Sequence, residues 1–296
     1  MLPIQWSSCP CLLTPPIIAR IVSCANLKPL KKHIHYTNMT SSGAIANIIA
    51  EQKEWQWLLS QQADDTLDVY LDLKSPHAYL AVRPTLEIAR DFRVAINFLP
   101  YTLSYVALGV SKKIGPEMKR LPASSTADRK ARMYYATARE YAALQSLPFK
   151  SPHRLLDSSL AHHAFLFAKK QALEVPFAMW VYLHGWASGW QEFELESASQ
   201  LRAACDSVGV DTAEFDDYIQ PGGVGEAELA GIMRIAEAHG LVGAPHYVFT
   251  DHEKSRRSGL FGREHLALIR SKFIKAGLAR RQNVVADFSH AWSRNE

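Results

Sequence analysis

Residues 72–79 carry the first group of side chains whose types and spacing could do chemistry. They directly follow the apolar run 67–71, which predicts a strand that leads into a tight turn and then a helix. Pro76 fits the first helical position, because its missing N–H would be unpaired there anyway. Ser75 is therefore expected at a helix N-terminus, where free backbone N–H groups and the positive end of the dipole favour an anion.

This turn resembles the active turn of the DsbA-type disulfide oxidoreductases, which reads Cys-Pro-His-Cys-Tyr. Ser75 stands at the first cysteine position and Ala78 at the second. The resemblance implies the scaffold of a redox enzyme, but a turn without these two sulfurs cannot form a disulfide.

A second motif, Gly243-Ala244-Pro245-His246, precedes a β-rich run. In a thioredoxin-like fold the proline at this place is cis and lies opposite the active turn. Ala244 would then present its backbone N–H and C=O groups to a peptide-like ligand, which pairs with them as an added strand. Taken alone the motif is an ordinary loop, whereas together with Ser75 and Pro76 it predicts a binding site.

A third turn, Gly262-Arg263-Glu264-His265, opens the last helix. Glu264 could accept hydrogen bonds from a ligand ammonium group, and Arg263 could pair with a carboxylate. The alternative for Glu264 is an acidic residue that only stabilises the start of a surface helix.

The three motifs can form one site only if the strands and helices between them bring them together in space. The βαβ order at the start predicts a parallel strand pair with a right-handed crossover. A long stretch with little strand signal follows, and its helices are separated by prolines. We therefore predict an α/β protein: a thioredoxin-like fold with a large all-helical insertion, as in the DsbA and kappa-class architecture. The predicted strands are 66–73, 94–99, 246–250 and 259–261, and the predicted helices are 44–62, 76–90, 126–146, 157–172, 176–189, 197–208, 225–239 and 264–276.

This order divides the chain into five segments. Residues 1–43 form a disordered or spurious N-terminal extension, 44–110 the first part of the thioredoxin-like domain, 111–239 the helical insertion, 240–276 the second part, and 277–296 a peripheral C-terminal tail. Residues 1–50 lack Asp and Glu, which is typical of an organelle transit peptide. We favour the simpler interpretation of an over-extended start, with Met39 as the first residue, although targeting by residues 1–38 stays open.

Residues 66–276 resemble the 2-hydroxychromene-2-carboxylate isomerases and the kappa-class glutathione transferases. Their active turn reads Asp-x-x-Ser-Pro-x-Ser-Tyr-Leu-Ala, their proline turn Gly-Val-Pro-Thr, and their later turn Gly-x-Asp-Arg. The first of these is matched here by Asp72, Ser75, Pro76, Tyr79, Leu80 and Ala81, and the other two correspond to Gly243-Ala244-Pro245-His246 and Gly262-Arg263-Glu264-His265.

The resemblance implies glutathione as the cofactor. Ser75 would be the catalytic residue, its hydroxyl donating to the glutathione thiolate, since a free thiol is mostly protonated at neutral pH and needs stabilisation as the anion. The residues expected to hold glutathione are Ala244, Pro245, Arg263 and Glu264. Lys74, His77 and His246 are further candidates for contact with the substrate or with the residues around it.

Several positions depart from the pattern of these relatives. Their Gly-Asn-x-x-Pro segment is replaced around residues 110–116, and its Asn is absent. The Asp and Arg of their helical Asp-x-x-Arg are Thr137 and Glu140 here, and the Asp of the third turn is Glu264. These departures leave glutathione plausible and put the chromene substrate in doubt.

The preferred hypothesis is a glutathione-dependent isomerase or transferase acting on a conjugated, aromatic-derived electrophile. The alternative is a non-catalytic or weakly redox DsbA-like module that binds a partner through the cis-proline surface. A disulfide oxidoreductase comes third. A serine hydrolase at Ser75 lacks a Gly-x-Ser-x-Gly turn.

Composition sets the remaining expectations. The chain has 296 residues, 48% of them hydrophobic, and a net charge of +4 with scattered basic residues, so we expect a small-molecule substrate and no nucleic-acid partner. No apolar run approaches the roughly 20 residues that span a bilayer.

Cys9 and Cys11 have no His/Cys partners that would complete a metal site. Sparse cysteines favour a cytoplasmic location, and the resembling families imply a homodimer.

Two aromatic groups are interpreted as structural. His162 and His163 are adjacent and so face different directions on a helix, which favours packing over a metal pair. Trp180, Trp186 and Trp190 are expected in the core or in a pocket wall.

Overall fold

The computed structural model describes residues 53–105 and 126–287. The strands are β1 (Asp65–Leu71), β2 (Val94–Pro100), β3 (His246–Asp251) and β4 (Arg256–Phe261). The helices are α1 (residues 53–59), α2 (Pro76–Tyr79), α3 (Val82–Asp91), α4 (Thr126–Leu144), α5 (Ser159–Lys169), α6 (Glu174–Ser188), α7 (Ala198–Ser207), α8 (Phe215–Ile219), α9 (Val224–Ala238) and α10 (Leu266–Lys275), with a 3-10 turn at Arg263–His265 before α10. The predictions for residues 1–43, for the start of the 44–62 helix and for 106–125 lie outside the described residues.

The sheet has the strand order β2-β1-β3-β4. β1 and β2 are parallel, whereas β3 runs antiparallel to both β1 and β4. The predicted βαβ start and the returning ββα end therefore share one sheet, with β1 and β3 at its centre. This confirms the α/β fold with a helical insertion.

Helices cover both faces of this sheet. On one face the Phe273 ring of α10 packs against Phe92 and Phe249. On the other face Ala236 of α9 packs with Tyr70 and Val248. The alternation of side chains along a strand sends neighbouring residues to these two separate layers.

The insertion is built around α5, which contacts α6, α7, α8 and α9. Residues 161–168 of α5 are all buried, so this helix is enclosed on every side, as expected of the central helix of a bundle. Trp186 and Trp190 are fully buried, which confirms their assignment to the core. The five helices expected between 126 and 239 are present within a few residues of their predicted ends.

The helix predicted over residues 76–90 is two helices, α2 and α3. Pro84 lies in the first turn of α3 and has no N–H to give to the Leu80 carbonyl, so a continuous helix is broken there. That carbonyl instead accepts a hydrogen bond from the Gln145 side chain, 3.2 Å away. The break leaves α2 as a single turn.

The described part of the C-terminal segment is anchored to the α3–β2 corner. Arg93 N donates to Leu278 O at 2.8 Å, and Arg280 donates to the carbonyls of Ala89 and Phe92. Residues 277–287 therefore line the edge of the thioredoxin-like part.

Candidate functional site

Ser75 occupies the position that the sequence indicates, immediately before α2. It is the N-cap of this helix, Pro76 follows at the first helical position, and Ser75 Oγ accepts a hydrogen bond from Ala78 N at 3.3 Å. The residue is only 4% exposed. Because α2 has a single turn, its dipole is small, and the hydroxyl itself becomes the main donor available to an anion.

Ala244 and Pro245 lie opposite this hydroxyl. The Ala244–Pro245 peptide bond is cis, as predicted. Ser75 Oγ donates to the Ala244 carbonyl at 3.3 Å, although 169 residues separate the two in the sequence. The loop is held in turn by β4, since Gly262 N donates to Pro245 O at 3.0 Å.

A cavity of about 690 Å³ opens over this contact. One wall comes from the thioredoxin-like part and the other from α4 and residues 151–155 of the insertion. Six residues singled out in the sequence line it together: Ser75, His77, Ala244, Pro245, Arg263 and Glu264. Its volume lies within the range of small-molecule sites, roughly 300–1,000 Å³.

The α4 wall was not found by the sequence analysis. It contributes Lys130, Tyr134, Tyr135 and Arg139, with Tyr105 beside them. The signal that could have revealed it is the spacing of four residues from Lys130 to Tyr134 and from Tyr135 to Arg139, which places the members of each pair on the same side of a helix. Thr137 and Glu140, which depart from the resembling families, are exposed and do not line the cavity.

Two predicted site residues are directed elsewhere. Lys74 is buried and binds Asp72 Oδ2 at 2.9 Å and Ser158 Oγ at 2.8 Å. His246 shares its face of β3 with Val248, and its ring stacks on Phe261. Neither lines the cavity, because Lys74 is drawn to a buried carboxylate and the strand alternation turns His246 away.

Asp72 is the centre of a buried polar network that the sequence did not indicate. Its carboxylate also accepts from Ser158 Oγ at 2.6 Å and from Leu103 N at 2.7 Å. Burial alone would raise the pKa of Asp72, but the Lys74 ammonium, His162 and these hydrogen bonds hold it below its usual range. The network fixes the chain directly before Ser75.

His162 belongs to the same network and is packed in the core, as expected. Its Nε2 accepts from Leu73 N at 3.1 Å, so Nδ1 carries the proton and faces Thr102 Oγ1 at 2.7 Å. Burial lowers the pKa of His162 to about 4, against the opposing effect of Asp72. The imidazole is therefore neutral at neutral pH.

Arg263 is the most unusual charge of the cavity. It is only 2% exposed, its guanidinium lies 4.0 Å from the Tyr141 ring centroid, and both terminal nitrogens lack a hydrogen-bond partner among the described residues. Burial lowers its pKa. A buried cation without an anion is costly, so this arrangement suits an anionic ligand. Glu264 follows it and is exposed at the mouth of the cavity.

His77 brings an imidazole to the same cavity. Its ring meets Tyr134 edge-on at 5.8 Å, and Nε2 is buried without a hydrogen-bond partner in the described part of the chain. Burial and the charge of Arg263 lower the pKa of His77, opposed by Glu264.

The site combines the hydroxyl of Ser75 and the backbone groups of Ala244. It also contains the buried guanidinium of Arg263 and the imidazole of His77. Residues 53–105 and 126–287 hold no group of three His, Cys, Asp or Glu side chains placed to bind a metal. They also hold no helix that combines the length and apolar character needed to cross a bilayer.

Comparisons with known proteins find a matching family model and a similar protein. The family model of the DSBA-like thioredoxin domain matches residues 66–273. A 2-hydroxychromene-2-carboxylate isomerase from Sphingobium xenophagum is 25% identical over 189 residues, which are 64% of this chain and 90% of that protein.

Solved structures share the fold at low identity. A 2-hydroxychromene-2-carboxylate isomerase superposes with a TM-score of 0.53 at 18% identity, covering 72% of this chain and 96% of its own. A probable DsbA oxidoreductase from Streptomyces coelicolor superposes with a TM-score of 0.55 at 16% identity, covering 74% and 92%.

Proposed function

The chain belongs to the DsbA-like thioredoxin family, and from this premise we propose that it is a glutathione-dependent isomerase or transferase acting on a conjugated, aromatic-derived electrophile. The observation that carries the proposal is the 3.3 Å contact between the Ser75 hydroxyl and the Ala244 carbonyl inside a ligand-sized cavity. This contact places a hydroxyl that can donate to a thiolate beside the Ala244 backbone, which can bind the peptide that carries the thiol.

The Ser75 hydroxyl can stabilise a thiolate by turning its proton from the Ala244 carbonyl to the sulfur. A thiol has an ordinary pKa of about 8.5, and hydrogen bonds to the anion lower it. A hydroxyl in this place cannot be oxidised to a disulfide. The bound thiol is therefore retained as a nucleophile.

The ends of glutathione fit the neighbouring groups. Ala244 offers its backbone to the cysteinyl residue, in the manner of an added strand. Arg263 suits a glutathione carboxylate and Glu264 the γ-glutamyl ammonium group. A carboxylate at Arg263 would satisfy the two guanidinium nitrogens that otherwise lack partners.

The remaining volume, beside α4, is available to the electrophile. Tyr105, Tyr134 and Tyr135 give this wall an aromatic character. The thiolate adds to one carbon of a conjugated double bond, rotation follows about the resulting single bond, and elimination returns the thiolate. This sequence isomerises the substrate without consuming glutathione, whereas a transferase would keep the adduct.

Calorimetry and turnover together test the proposal. We expect glutathione to bind at millimolar concentration or below, and turnover of conjugated electrophiles to fall about 100-fold or more in Ser75→Ala. Ser207→Ala, which removes an exposed hydroxyl bonded within α7, should leave turnover unchanged. An absence of glutathione binding at millimolar concentration would reject the proposal.

A second function is favoured by one observation, the exposed apolar rim of the cavity. Val242 is 66% exposed and Phe261 46%, which suits a non-catalytic module that binds an extended partner at Ala244. Turnover that depends on Ser75 would reject this alternative.

A disulfide oxidoreductase is the third alternative. Among the described residues Cys205 is the single cysteine, and burial raises its pKa to about 12. We therefore expect no reduction of insulin disulfides.

A further inference from the structure

We propose that His77 is the residue that accepts the glutathione thiol proton, an inference that rests on the proposed function and extends it. Glutathione enters mostly as a thiol, so a group must remove the proton before the sulfur can attack. The Ser75 hydroxyl can donate a hydrogen bond to the sulfur but has no capacity to hold an additional proton at neutral pH.

The other groups of the cavity are poor proton acceptors. Lys130, Arg139 and Arg263 carry basic side chains, and burial raises the pKa of the Tyr105 phenol and raises that of Tyr135 to about 12. Glu264 is exposed at the mouth, where a carboxylate is a weak base at neutral pH. An imidazole is the side chain suited to this task near neutrality.

The placement of His77 matches the task. His77 lies in the single turn of α2, two residues after the N-cap Ser75, and both residues line the same cavity. His77 Nε2 is buried and lacks a partner among the described residues. In the tautomer that carries its proton on Nδ1, this buried nitrogen is free to accept a proton from a ligand. His153 also lines the cavity, but on the opposite wall, with Nδ1 facing Gly189 O at 3.4 Å.

The charges around His77 keep it ready to accept a proton. The groups that face it are Tyr134 of α4, Arg263 and Glu264. Lys130 lies 5.6 Å from the centroid of the same Tyr134 ring. Burial and Arg263 lower the pKa of His77, opposed by Glu264 and by a hydrogen bond to the Tyr134 backbone, and both lowering effects favour the uncharged imidazole. Formation of the thiolate nearby would then stabilise the imidazolium.

Every proton and electron pair is accounted for when the thiol is deprotonated and then adds to the substrate. The S–H bond breaks, its electron pair stays on sulfur, and the proton moves to His77 Nε2. The thiolate then forms a C–S bond to the electrophile, and the π electrons of the double bond move toward the conjugated oxygen. After rotation the C–S bond breaks and the double bond returns. His77 gives its proton back when glutathione leaves as the thiol, and no oxidant or reductant is needed.

The test separates proton transfer from binding. The ultraviolet absorbance of the thiolate of bound glutathione is titrated with pH in the wild type, in His77→Gln and in the control His239→Gln, whose imidazole is exposed at the end of α9. We expect the thiol pKa of bound glutathione to rise by about one unit or more in His77→Gln, a tenfold loss of thiolate near neutrality. The control should titrate as the wild type does.

Binding of S-methylglutathione, which has no thiol proton, gives the second measurement. Its Kd should be equal in the wild type and in both variants. An unchanged thiolate titration in His77→Gln and in His77→Ala overturns the role of His77 and leaves the proposed function intact. Loss of S-methylglutathione binding in these variants also overturns it, because His77 would then act in binding. Failure of the wild type to bind both glutathione and S-methylglutathione overturns the proposed function.

Discussion

Compared with the DsbA-type active turn, Ser75 places an oxygen where the first cysteine sulfur would stand. The surrounding groups correspond to those of that turn. The cis proline, the Ala244 carbonyl and the one-turn helix surround a hydroxyl that donates a hydrogen bond and forms no disulfide. Under the proposed function the nucleophile therefore comes from a bound molecule. The buried guanidinium of Arg263 indicates that this molecule carries an anionic group.

The first prediction concerns Arg263→Met. Methionine keeps the apolar packing and removes a buried cation whose terminal nitrogens have no hydrogen-bond partner among the described residues, so the free energy of unfolding should stay equal or increase. Loss of the charge-assisted hydrogen bonds should weaken glutathione binding about 10- to 100-fold. Urea unfolding and calorimetry measure the two effects.

The matched control is Arg256→Met, an exposed arginine on β4. It should change neither stability nor affinity. A lower stability of Arg263→Met with unchanged glutathione affinity would show that Arg263 serves the fold and not a ligand.

The sequence was sufficient for those site residues whose position is set by a local motif. Ser75, Ala244 and Glu264 each stand in a turn that a nearby proline or glycine marks. Lys74 and His246 stand in the same motifs, but their directions depend on tertiary partners. A buried aspartate attracts Lys74, and the face of β3 determines the direction of His246.

At the scale of elements, the Asp72 network joins the end of β1, the residues after β2 and the start of α5. Lys74, Ser158 and His162 contact it from the turn and from α5. No spacing in the sequence indicates this network, because its members are 2, 86 and 90 residues from Asp72. The joint fixes the turn that carries Ser75 against the insertion.

The second prediction tests this joint with Lys74→Met. Removal of the ammonium leaves a buried carboxylate without its counter-charge, so the free energy of unfolding should fall by about 3–5 kcal/mol. The double variant Asp72→Asn/Lys74→Met should recover part of this loss, since no buried charge remains. Urea unfolding measures both.

Lys254→Met is the surface control for the second prediction. Lys254 lies 3.7 Å from Asp251 and is largely exposed, so its loss should cost less than about 1 kcal/mol. An equal, small effect of Lys74→Met would mean that the Asp72–Lys74 pair does not stabilise the fold.

The third prediction concerns Gly185 in α6. A Cβ at this position would clash with the ring of Trp190, which is fully buried. Gly185→Ala should therefore destabilise the protein by about 1–3 kcal/mol through overpacking. Gly231 in α9 is the matched helical control, since an added Cβ there would lie 3.8 Å from the Arg234 side chain, which is ordinary van der Waals contact. Gly231→Ala should stabilise by about 0.5–1 kcal/mol, and thermal unfolding of both variants provides the comparison.

Helices of the insertion were predictable because prolines and long apolar patterns mark their ends. The exceptions have physical reasons. α8 has five residues and shows no complete period. β4 begins at Arg256, where exposed polar residues of an edge strand give no alternating pattern. The break between α2 and α3 depends on Pro84 and on the distant Gln145 side chain.

At the scale of the whole molecule, the cavity depends on the thioredoxin-like part and the insertion together. The thioredoxin-like part supplies Ser75, Ala244 and Arg263. The insertion supplies the aromatic and basic side chains of α4. Neither wall encloses a ligand alone. The pairing of the walls could not be predicted from the sequence, because the residues of α4 show only that one side of this helix differs from the other.

The last prediction uses His162, whose burial couples the fold to pH. Its folded pKa of about 4 lies below the ordinary value of 6.5. Between these two values the unfolded chain binds a proton that the folded chain does not, so stability is complete above pH 6.5 and is lost as the pH falls toward 4. The difference corresponds to on the order of 3 kcal/mol. His162→Gln, whose amide oxygen can still accept from Leu73 N, should lose correspondingly less stability than the wild type between pH 7 and pH 4.5, whereas the exposed His239→Gln should follow the wild type. Urea unfolding at the two pH values measures this, and an identical loss in all three proteins would mean that the pH dependence arises elsewhere in the molecule.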